Sequence, residues 1–423
     1  MRDVTVLMFA STRYWVDEAL LNDTFARMKA ALAPISADVT LIVDGDLSAL
    51  PEKLADAVII PLSGAVQQPI IDAALRCDAV ALYAGYCSGN FDADIIDRLL
   101  YFNAAPTLMD TWGVIKRHKK QAQLAVTKQD LTSCVKAMQA CRKLRGAKLV
   151  HIGHTEPWVI STARTDSVYE NKFGLTVEHV SFEEMIARYE ATTVEEAQPM
   201  LRYYADHAQK MIESNDEDLI NACRFGTALV KLLEDKDAVG GAIACFDLIK
   251  RTGASACLGV AYLNDVTDKF LSCEGDMDSA VTMLLLRGLT DGPLWMANPC
   301  LDASGLINFS HCTAPWHIGG CECPFIMRRH HESGKSVSLQ VDMPLEKEMT
   351  LCRISKDAGV MTVHTGTSVP GERKSVCHTQ MWVKLDDYAH YLETALGCHQ
   401  IFAFENITNE LTAAAKFLDL SIE

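Results

Sequence analysis

Two acidic side chains stand directly before an apolar stretch in the middle of the chain. Residues 273–278 read Cys-Glu-Gly-Asp-Met-Asp, and residues 278–289 have the apolar periodicity of a helix. Carboxylates at a helix start can simply complement the helix dipole, which contributes about 0.3–1 kcal/mol. Glu274 and Asp276 can also bind a hard cation or transfer a proton. The segment alone leaves both interpretations open.

Two histidines in the last third of the chain can add nitrogen ligands to such a site. His399 lies in Gly-Cys-His-Gln before a short apolar run, and His311 lies in Asn-Phe-Ser-His-Cys-Thr-Ala-Pro. Neutral imidazole is a common ligand of divalent cations, but a buried histidine can equally be a structural residue hydrogen-bonded to backbone. For His311 both interpretations stay open.

These segments resemble parts of the L-fucose and L-arabinose isomerases. Glu274 and Asp276 match the Glu-x-Asp motif that opens an apolar helix in L-fucose isomerase. The segment from residue 396 to the final helix resembles the closing motif of L-arabinose isomerase, in which a metal-binding histidine precedes a short strand, and His399 is the matching position. His311 matches a further histidine ligand of that enzyme through a gapped alignment. The resemblance is specific near residues 274–299, 311–315 and 379–420.

One carboxylate of the family pattern is replaced by an amide. In L-fucose isomerase an aspartate beyond the helix completes the carboxylate pair on a manganese ion, and the same distance from Glu274 leads to Asn298. An amide oxygen can bind a hard cation but cannot accept a proton as a carboxylate does. We therefore expect Asp276, Asp302 or a metal-bound water to supply the second proton-transfer group.

The resemblance implies a metal-dependent aldose–ketose isomerase that works through an enediol, with the sugar's O1 and O2 on the metal. Glu274 and Asp276 would be its catalytic carboxylates, and Glu274, Asn298, His311 and His399 its metal ligands. A site rich in oxygen ligands favours Mn²⁺, or Mg²⁺, over Zn²⁺.

Substrate binding is assigned to Arg13, Asp302 and His311. Arg13 resembles an early arginine that L-fucose isomerase directs to the sugar of a neighbouring subunit, so a homo-oligomer, trimeric or hexameric with inter-subunit active sites, is implied. The substrate would be a deoxyhexose, a pentose or a sulfonated hexose (sulfoquinovose), whose anionic tail the basic residues 328–331 and Lys335 could hold. A non-catalytic sugar-binding protein with a degenerate metal site, suggested by Asn298, and a sugar epimerase or lyase remain alternatives.

Amino-acid composition limits the kinds of binding partner and the cellular compartment that we expect for this chain. The chain has 423 residues, 49% of them apolar, and a formal net charge of −16, which disfavours nucleic-acid and anionic-membrane partners. The first apolar run, residues 4–10, is too short for a signal peptide or a membrane span. Fifteen cysteines without an export signal indicate a reducing, cytoplasmic location.

Cys321 and Cys323 lack a second pair at zinc-finger spacing, so no structural zinc site is predicted.

The elements that position these residues follow from hydrophobic periodicity. Residues 4–145 alternate apolar runs with amphipathic stretches, as in βα units around a parallel sheet, and a similar pattern restarts at residue 147. After residue 297 the alternation of single residues predicts strands. We therefore predict an α/β protein with two α/β/α domains with parallel sheets (1–145 and 146–297) and a mostly β C-terminal domain (298–423). We also expect a long bridging helix over 116–145 and a buried strand at 257–260.

Overall fold

The computed structural model describes residues 4–119, 121–162 and 164–423. The strands are β1 (Thr5–Ala10), β2 (Val39–Val43), β3 (Leu54–Pro61), β4 (Cys77–Tyr83), β5 (Ala122–Ala125), β6 (Lys148–Ile152), β7 (Thr176–Val180), β8 (Gly240–Ile243), β9 (Phe270–Cys273), β10 (Trp295–Leu301), β11 (Ile307–Ser310), β12 (His317–Ile318), β13 (Cys321–Glu322), β14 (Phe325–Arg328), β15 (Ser338–Val341), β16 (Glu348–Ser355), β17 (Val360–Val369), β18 (Gln380–Leu385), β19 (Gln400–Ala403) and β20 (Ser421–Ile422). The helices are α1 (Glu18–Leu32), α2 (Gln67–Arg76), α3 (Ala93–Tyr101), α4 (Ala104–His118), α5 (Lys128–Leu144), α6 (Ser167–Phe173), α7 (Phe182–Ala191), α8 (Val194–Ala205), α9 (Asp216–Asp235), α10 (Cys245–Thr252), α11 (Cys257–Val266), α12 (Met277–Leu286), α13 (Tyr388–Thr394) and α14 (Thr408–Leu418).

The chain forms two compact units, one built from residues up to 142 together with 409–420, the other from 143–408 with 421–423. The first unit contains a five-stranded parallel sheet in the order β2-β1-β3-β4-β5. Its central strands are buried on both faces, as expected for a parallel sheet covered by helices. Helix α14 belongs to this unit, where Gln123 Nε2 donates to the carbonyl of Ala413.

The second unit begins with a four-stranded parallel sheet in the order β7-β6-β8-β9. After β6 the chain adds β7 on one side, and β8 and β9 follow on the other side. Connections leaving neighbouring strands in opposite directions open a crevice at the carboxyl ends of the strands, which is where open α/β sheets bind ligands. The segments after β6, β8 and β9 therefore meet at the edge where Glu274 stands.

The same unit continues into an antiparallel sheet in the order β16-β19-β10-β11-β18-β17-β20. Strand β16 also pairs with β17, so six of these strands close into a barrel. The barrel core is apolar and includes Trp295, Phe309, Leu351 and Phe402, all fully buried. The predicted α/β architecture with a β C-terminal region is therefore confirmed, while the three domain boundaries stay a prediction.

Two local predictions are wrong. The helix expected over 116–145 is interrupted, because α4 ends at His118, and β5 pairs with β4 before α5 begins. Residues 257–260, expected as a buried strand, form the first turn of α11. Every side chain of that turn is buried, and a short apolar run without polar alternation cannot distinguish a buried helix from a buried strand. No helix in the described ranges is long and apolar enough to cross a membrane.

Helices α9 and α11 approach each other through two glycines. A Cβ placed on Gly259 would lie 2.4 Å from Cα of Gly226, and one placed on Gly226 would lie 2.7 Å from Cα of Gly259. A methyl group there would meet backbone atoms, which cannot rotate away as a side chain can.

We predict that Gly259→Ala lowers the free energy of unfolding by about 1–3 kcal/mol, the usual cost of overpacking a core. Gly113→Ala in α4 is the matched control, since a Cβ there meets no atom within 4 Å. It should leave stability unchanged or raise it by about 0.5–1 kcal/mol, because alanine favours the helix. Urea unfolding followed by circular dichroism measures both, and equal stability of the two variants would contradict the close packing.

Candidate functional site

The loop between β9 and α12 holds Glu274 in an unusual backbone conformation. Glu274 has φ 60°, in the left-handed region that residues with side chains seldom adopt. Gly275 follows at φ 64°, and a Cβ there would lie 2.1 Å from the carbonyl oxygen of His154. The amide of Glu156 donates to the Glu274 carbonyl at 3.0 Å. The segment after β6 thus clamps the loop, and strain of this kind is typical of functional sites.

Three predicted site residues, Glu274, His311 and His399, come together here. Oε1 of Glu274 lies 3.4 Å from Nε2 of His399 and 3.8 Å from Nε2 of His311. His311 directly follows β11 and His399 directly precedes β19, so the barrel supplies both imidazoles and the α/β sheet supplies the carboxylate. All three side chains are buried, and one ligand atom from each lies within 4.8 Å of the others.

Asn298 adds an oxygen to the same region. It lies on β10 opposite Ser310 of β11 and lines a cavity together with Glu274. Its Oδ1 is buried without a hydrogen-bond partner among the described residues. Leaving such an atom unpaired costs about 1–3 kcal/mol, so an unpaired amide oxygen at this place fits a ligand that approaches from the cavity. A carboxylate, two imidazoles and an amide oxygen form a donor set that can hold a divalent cation. The identity of the ion stays a prediction.

Asp276 supports His399 rather than facing the cavity. It caps the N-terminus of α12, where it accepts the amide of Ser279. Its Oδ2 lies 2.8 Å from Nδ1 of His399, on the opposite side of the ring from Nε2 and Glu274. A carboxylate on the second ring nitrogen fixes the orientation of a metal-binding imidazole. The geometry therefore favours a positioning role for Asp276 over the predicted catalytic role.

A buried arginine, which the sequence analysis missed, holds this network together. Arg353 of β16 has a fully buried side chain, and its Nη1 donates to Oδ2 of Asp276 at 2.9 Å and to the carbonyl of His399 at 3.0 Å. Its Nη2 lies 3.5 Å from Oδ2 of Asp278, another buried carboxylate. One feature of the sequence could have indicated Arg353: it is the only charged residue in the apolar run Thr-Leu-Cys-Arg-Ile. A charge in a buried strand requires a partner.

The buried groups shift each other's pKa values. Burial alone would raise the pKa of Glu274, but the facing imidazoles of His311 and His399 outweigh burial and hold the pKa well below its ordinary value. Burial likewise opposes ionisation of Asp276, and the charges of Arg353 and His399 lower its pKa. For His399, burial is outweighed by Asp276 and Glu274, which raise its pKa. Two ionised carboxylates therefore face the His399 ring, one on each side, and provide the negative charge that a cation site requires.

The cavity in front of Glu274 has a volume of about 700 Å³, enough for a monosaccharide. Trp158, which follows β6, donates from Nε1 to Oε2 of Glu274 at 2.7 Å and stacks edge-on against Phe246. Glu332 is another carboxylate in the lining. The lining residues are Trp158, Phe246, Ile249, Lys250, Glu274, Asn298, Glu332, Ser333, Lys335 and Cys398.

The other two predicted site residues lie elsewhere. Asp302 follows β10 and pairs with Lys374 at 2.7 Å, beside a different pocket that also contains Trp382. That pairing holds the pKa of Asp302 below its usual range, and the structure does not bring Asp302 together with Glu274. Arg13 is exposed in a turn after β1, in the first compact unit. Its expected role towards a neighbouring subunit stays a prediction.

Comparison with known proteins supports one class of enzyme. The chain is 25% identical over 383 residues to a sulfoquinovose isomerase of Clostridium sp. (strain MSTE9), covering 85% of this chain and 79% of that protein. No protein-family model matches the chain. The similarity supports the prediction that this chain is an isomerase enzyme acting on a sugar. Membership of the L-fucose and L-arabinose isomerase family stays a prediction.

We predict that Arg353→Met lowers the free energy of unfolding by about 3–5 kcal/mol, because Asp276 and Asp278 both lose the buried guanidinium that compensates their charges. Lys374→Met, which breaks the solvent-screened pair with Asp302, is the control and should cost much less stability than Arg353→Met. Urea unfolding of both variants measures the difference. If they lose the same stability, the buried network does not hold the site as described.

Proposed function

We propose that this chain is an aldose–ketose isomerase in which Glu274, His311 and His399, with Asn298, bind a divalent cation at the cavity wall. The observation that carries the proposal is the buried Glu274 carboxylate, which has both imidazoles within 4.8 Å and borders a cavity of monosaccharide size. We take Mn²⁺ as the ion, because carboxylate, amide and imidazole ligands together suit it.

The reaction moves a proton between C1 and C2 of the sugar. The chemistry that a bound divalent cation supplies is polarisation of the carbonyl and a lower pKa of the adjacent hydroxyl. Trp158 fixes the orientation of Glu274 by binding Oε2 while Oε1 points at the imidazoles. Because its pKa is held low, Glu274 is better suited to binding the cation than to accepting a proton at neutral pH.

Glu332 is our candidate for the proton-transfer group. It is a second carboxylate in the lining of the cavity that contains Glu274. Although Glu332 is exposed overall, loss of hydration beside the cavity, followed by the charge of Glu274, raises its pKa towards the range in which a carboxylate exchanges protons efficiently. Glu332 therefore takes the role that the sequence analysis left to Asp276, Asp302 or a water.

The basic side chains of the cavity favour a sugar with an anionic end. Lys250 and Lys335 line the cavity, and Lys335 has no acidic partner within 4 Å in the described part of the chain. The relative's name, sulfoquinovose isomerase, indicates a substrate of this charge. We therefore propose a sulfonated aldohexose as the substrate, with its sulfonate at Lys335 and its C1–C2 end at Glu274, in preference to a deoxyhexose or a pentose.

The direct test incubates the purified chain with Mn²⁺ and sulfoquinovose in D₂O. Exchange of the C2 proton together with formation of the ketose, both followed by NMR, is the expected result. Exchange that yields only the C2 epimer would replace the isomerase with an epimerase. Saturable sugar binding without exchange would favour a non-catalytic binding protein.

The proposed assembly is a homo-oligomer in which Arg13 reaches the sugar of a neighbouring subunit. Light scattering gives the number of subunits. Mixing an Arg13→Ala chain with a Glu274→Gln chain tests whether two subunits share one site. In a mixed oligomer, some sites combine the intact Glu274 of one chain with the intact Arg13 of the other and should regain activity. If the mixture is no more active than the two separate variants, the neighbouring subunit does not supply Arg13.

We predict that Glu274→Gln and Glu332→Gln lose activity in different ways. Glu274→Gln should weaken Mn²⁺ binding and abolish turnover, because the cation loses its carboxylate. Glu332→Gln should keep Mn²⁺ binding but lower kcat by about 10²–10⁴-fold, the usual contribution of a proton-transfer group. Calorimetric Mn²⁺ titration and kinetics are the measurements. Full activity of Glu332→Gln would assign proton transfer to another residue.

We predict that Lys335→Glu raises the KM for the sulfonated sugar by about 10-fold or more, because the anion loses a charged hydrogen-bond donor. Any KM for an uncharged aldose should change little. Lys384→Glu carries the same charge change on an exposed position of β18, outside the cavity lining, and serves as the control. Equal effects of the two substitutions would mean that net charge, rather than a contact with the sulfonate, determines affinity.

A further inference from the structure

A second cluster of side chains that can bind a metal lies beside the Glu274 site and consists of different residues. Cys312 directly follows His311, and its Sγ lies 4.0 Å from Nδ1 of that ring. Cys257 is the first residue of α11, Cys312 follows β11, and His330 follows β14. All three are buried, and one ligand atom from each lies within 4.8 Å of the others. Their positions are far apart in sequence and form no motif, so no sequence pattern indicates a site.

The spacing of the two sulfurs suits a shared metal ion. Sγ of Cys257 and Sγ of Cys312 lie 3.4 Å apart. A disulfide requires about 2.0 Å. Two thiolates at Zn–S distances of about 2.3 Å in a tetrahedral site lie about 3.8 Å apart, so a small side-chain adjustment is sufficient.

The histidine is oriented by its own loop. Nδ1 of His330 lies 2.9 Å from Oγ of Ser333 and accepts the backbone N–H of Ser333 at 3.3 Å. Metal binding at Nε2 would shift the ring proton to Nδ1, where the Ser333 hydroxyl can accept it. A ligating imidazole commonly has its other nitrogen bound in this way. The edge of Phe246 packs against the ring and shields it on one side.

A fourth ligand is available nearby. The thiol of Cys377, in the segment before β18, interacts with that of Cys312. By contrast, Cys321 and Cys323 each donate to a backbone carbonyl within their own hairpin, so their thiols have structural partners. Cys257, Cys312 and His330 thus make up a Cys₂His set, and Cys377 beside Cys312 is the candidate that would complete a Cys₃His site, a common ligand set of structural zinc sites.

We propose that Cys257, Cys312 and His330, completed by Cys377, bind a structural Zn²⁺ ion. The thiols release their protons on binding, and the soft thiolates distinguish this site from the carboxylate and imidazole site at Glu274. The ion would join α11 to three segments of the barrel region. One of these contains Glu332, Ser333 and Lys335, so zinc would stabilise part of the cavity wall.

The test is the zinc content of the purified full chain after dialysis against a weak chelator. We expect about one zinc per chain in the wild type and in His399→Ala, which removes a ligand of the other site. The double variant Cys257→Ala/Cys312→Ala should contain no zinc. Cys223→Ala is the matched control, because Cys223 is equally buried, on α9, and lies outside the cluster. It should keep its zinc.

Cobalt provides a readout that does not need a folded variant. The wild type loaded with Co²⁺ should show the charge-transfer absorption of cobalt–thiolate bonds and the visible bands of a tetrahedral ion. His399→Ala should show the same spectrum. A wild type that retains no zinc and gives no thiolate band with Co²⁺ would overturn the proposal, whether or not the chain proves to be an isomerase. Zinc lost from His399→Ala but kept by the double cysteine variant would assign the metal to the other site.

Discussion

The candidate site depends on a continuous series of buried polar side chains that runs from Arg353 through Asp276 and His399 to Glu274. Adjacent members lie 2.9, 2.8 and 3.4 Å apart. Burial of the charge of Arg353, Asp276 or Glu274 alone would cost several kcal/mol, and each of these groups is stabilised by its neighbour in the series. The series ends at the cavity, where Glu274 is negative and only partly compensated. A cation bound at Glu274 would neutralise the negative charge of this carboxylate, which burial disfavours.

This series also explains why two different architectures meet at the site. The parallel sheet delivers Glu274 and Asp276 at the end of β9, where its strand order creates a crevice. The barrel delivers Arg353 on β16 and the two histidines at the ends of β11 and β19. Neither part holds the complete set of groups, so the geometry of the site depends on how tightly they pack. Arg353 contacts both parts, since it binds Asp276 of one and the His399 carbonyl of the other.

The sequence predicted the parts of this arrangement that are local. The apolar periodicity around α12 and the alternation of the barrel strands are properties of short segments, and both predictions are confirmed. The approach of Glu274 to His311 and His399 was inferred from a resemblance rather than from a pattern. The sequence alone could not indicate that Arg353 binds Asp276 or that Trp158 binds Glu274. Residues that contact each other across more than 70 positions form no recognisable sequence pattern. Asp302 was a candidate for the second proton-transfer group, but it pairs with Lys374, a contact across 72 positions that no local pattern indicates.

The most direct test of the account is a crystal of the chain grown with Mn²⁺, examined by anomalous scattering. We expect an anomalous peak within bonding distance of Glu274, His311 and His399, with Oδ1 of Asn298 facing it from β10. A peak elsewhere in the chain, or a Glu274 side chain that stays bound to the two imidazoles at saturating Mn²⁺ with no ion between them, would contradict it.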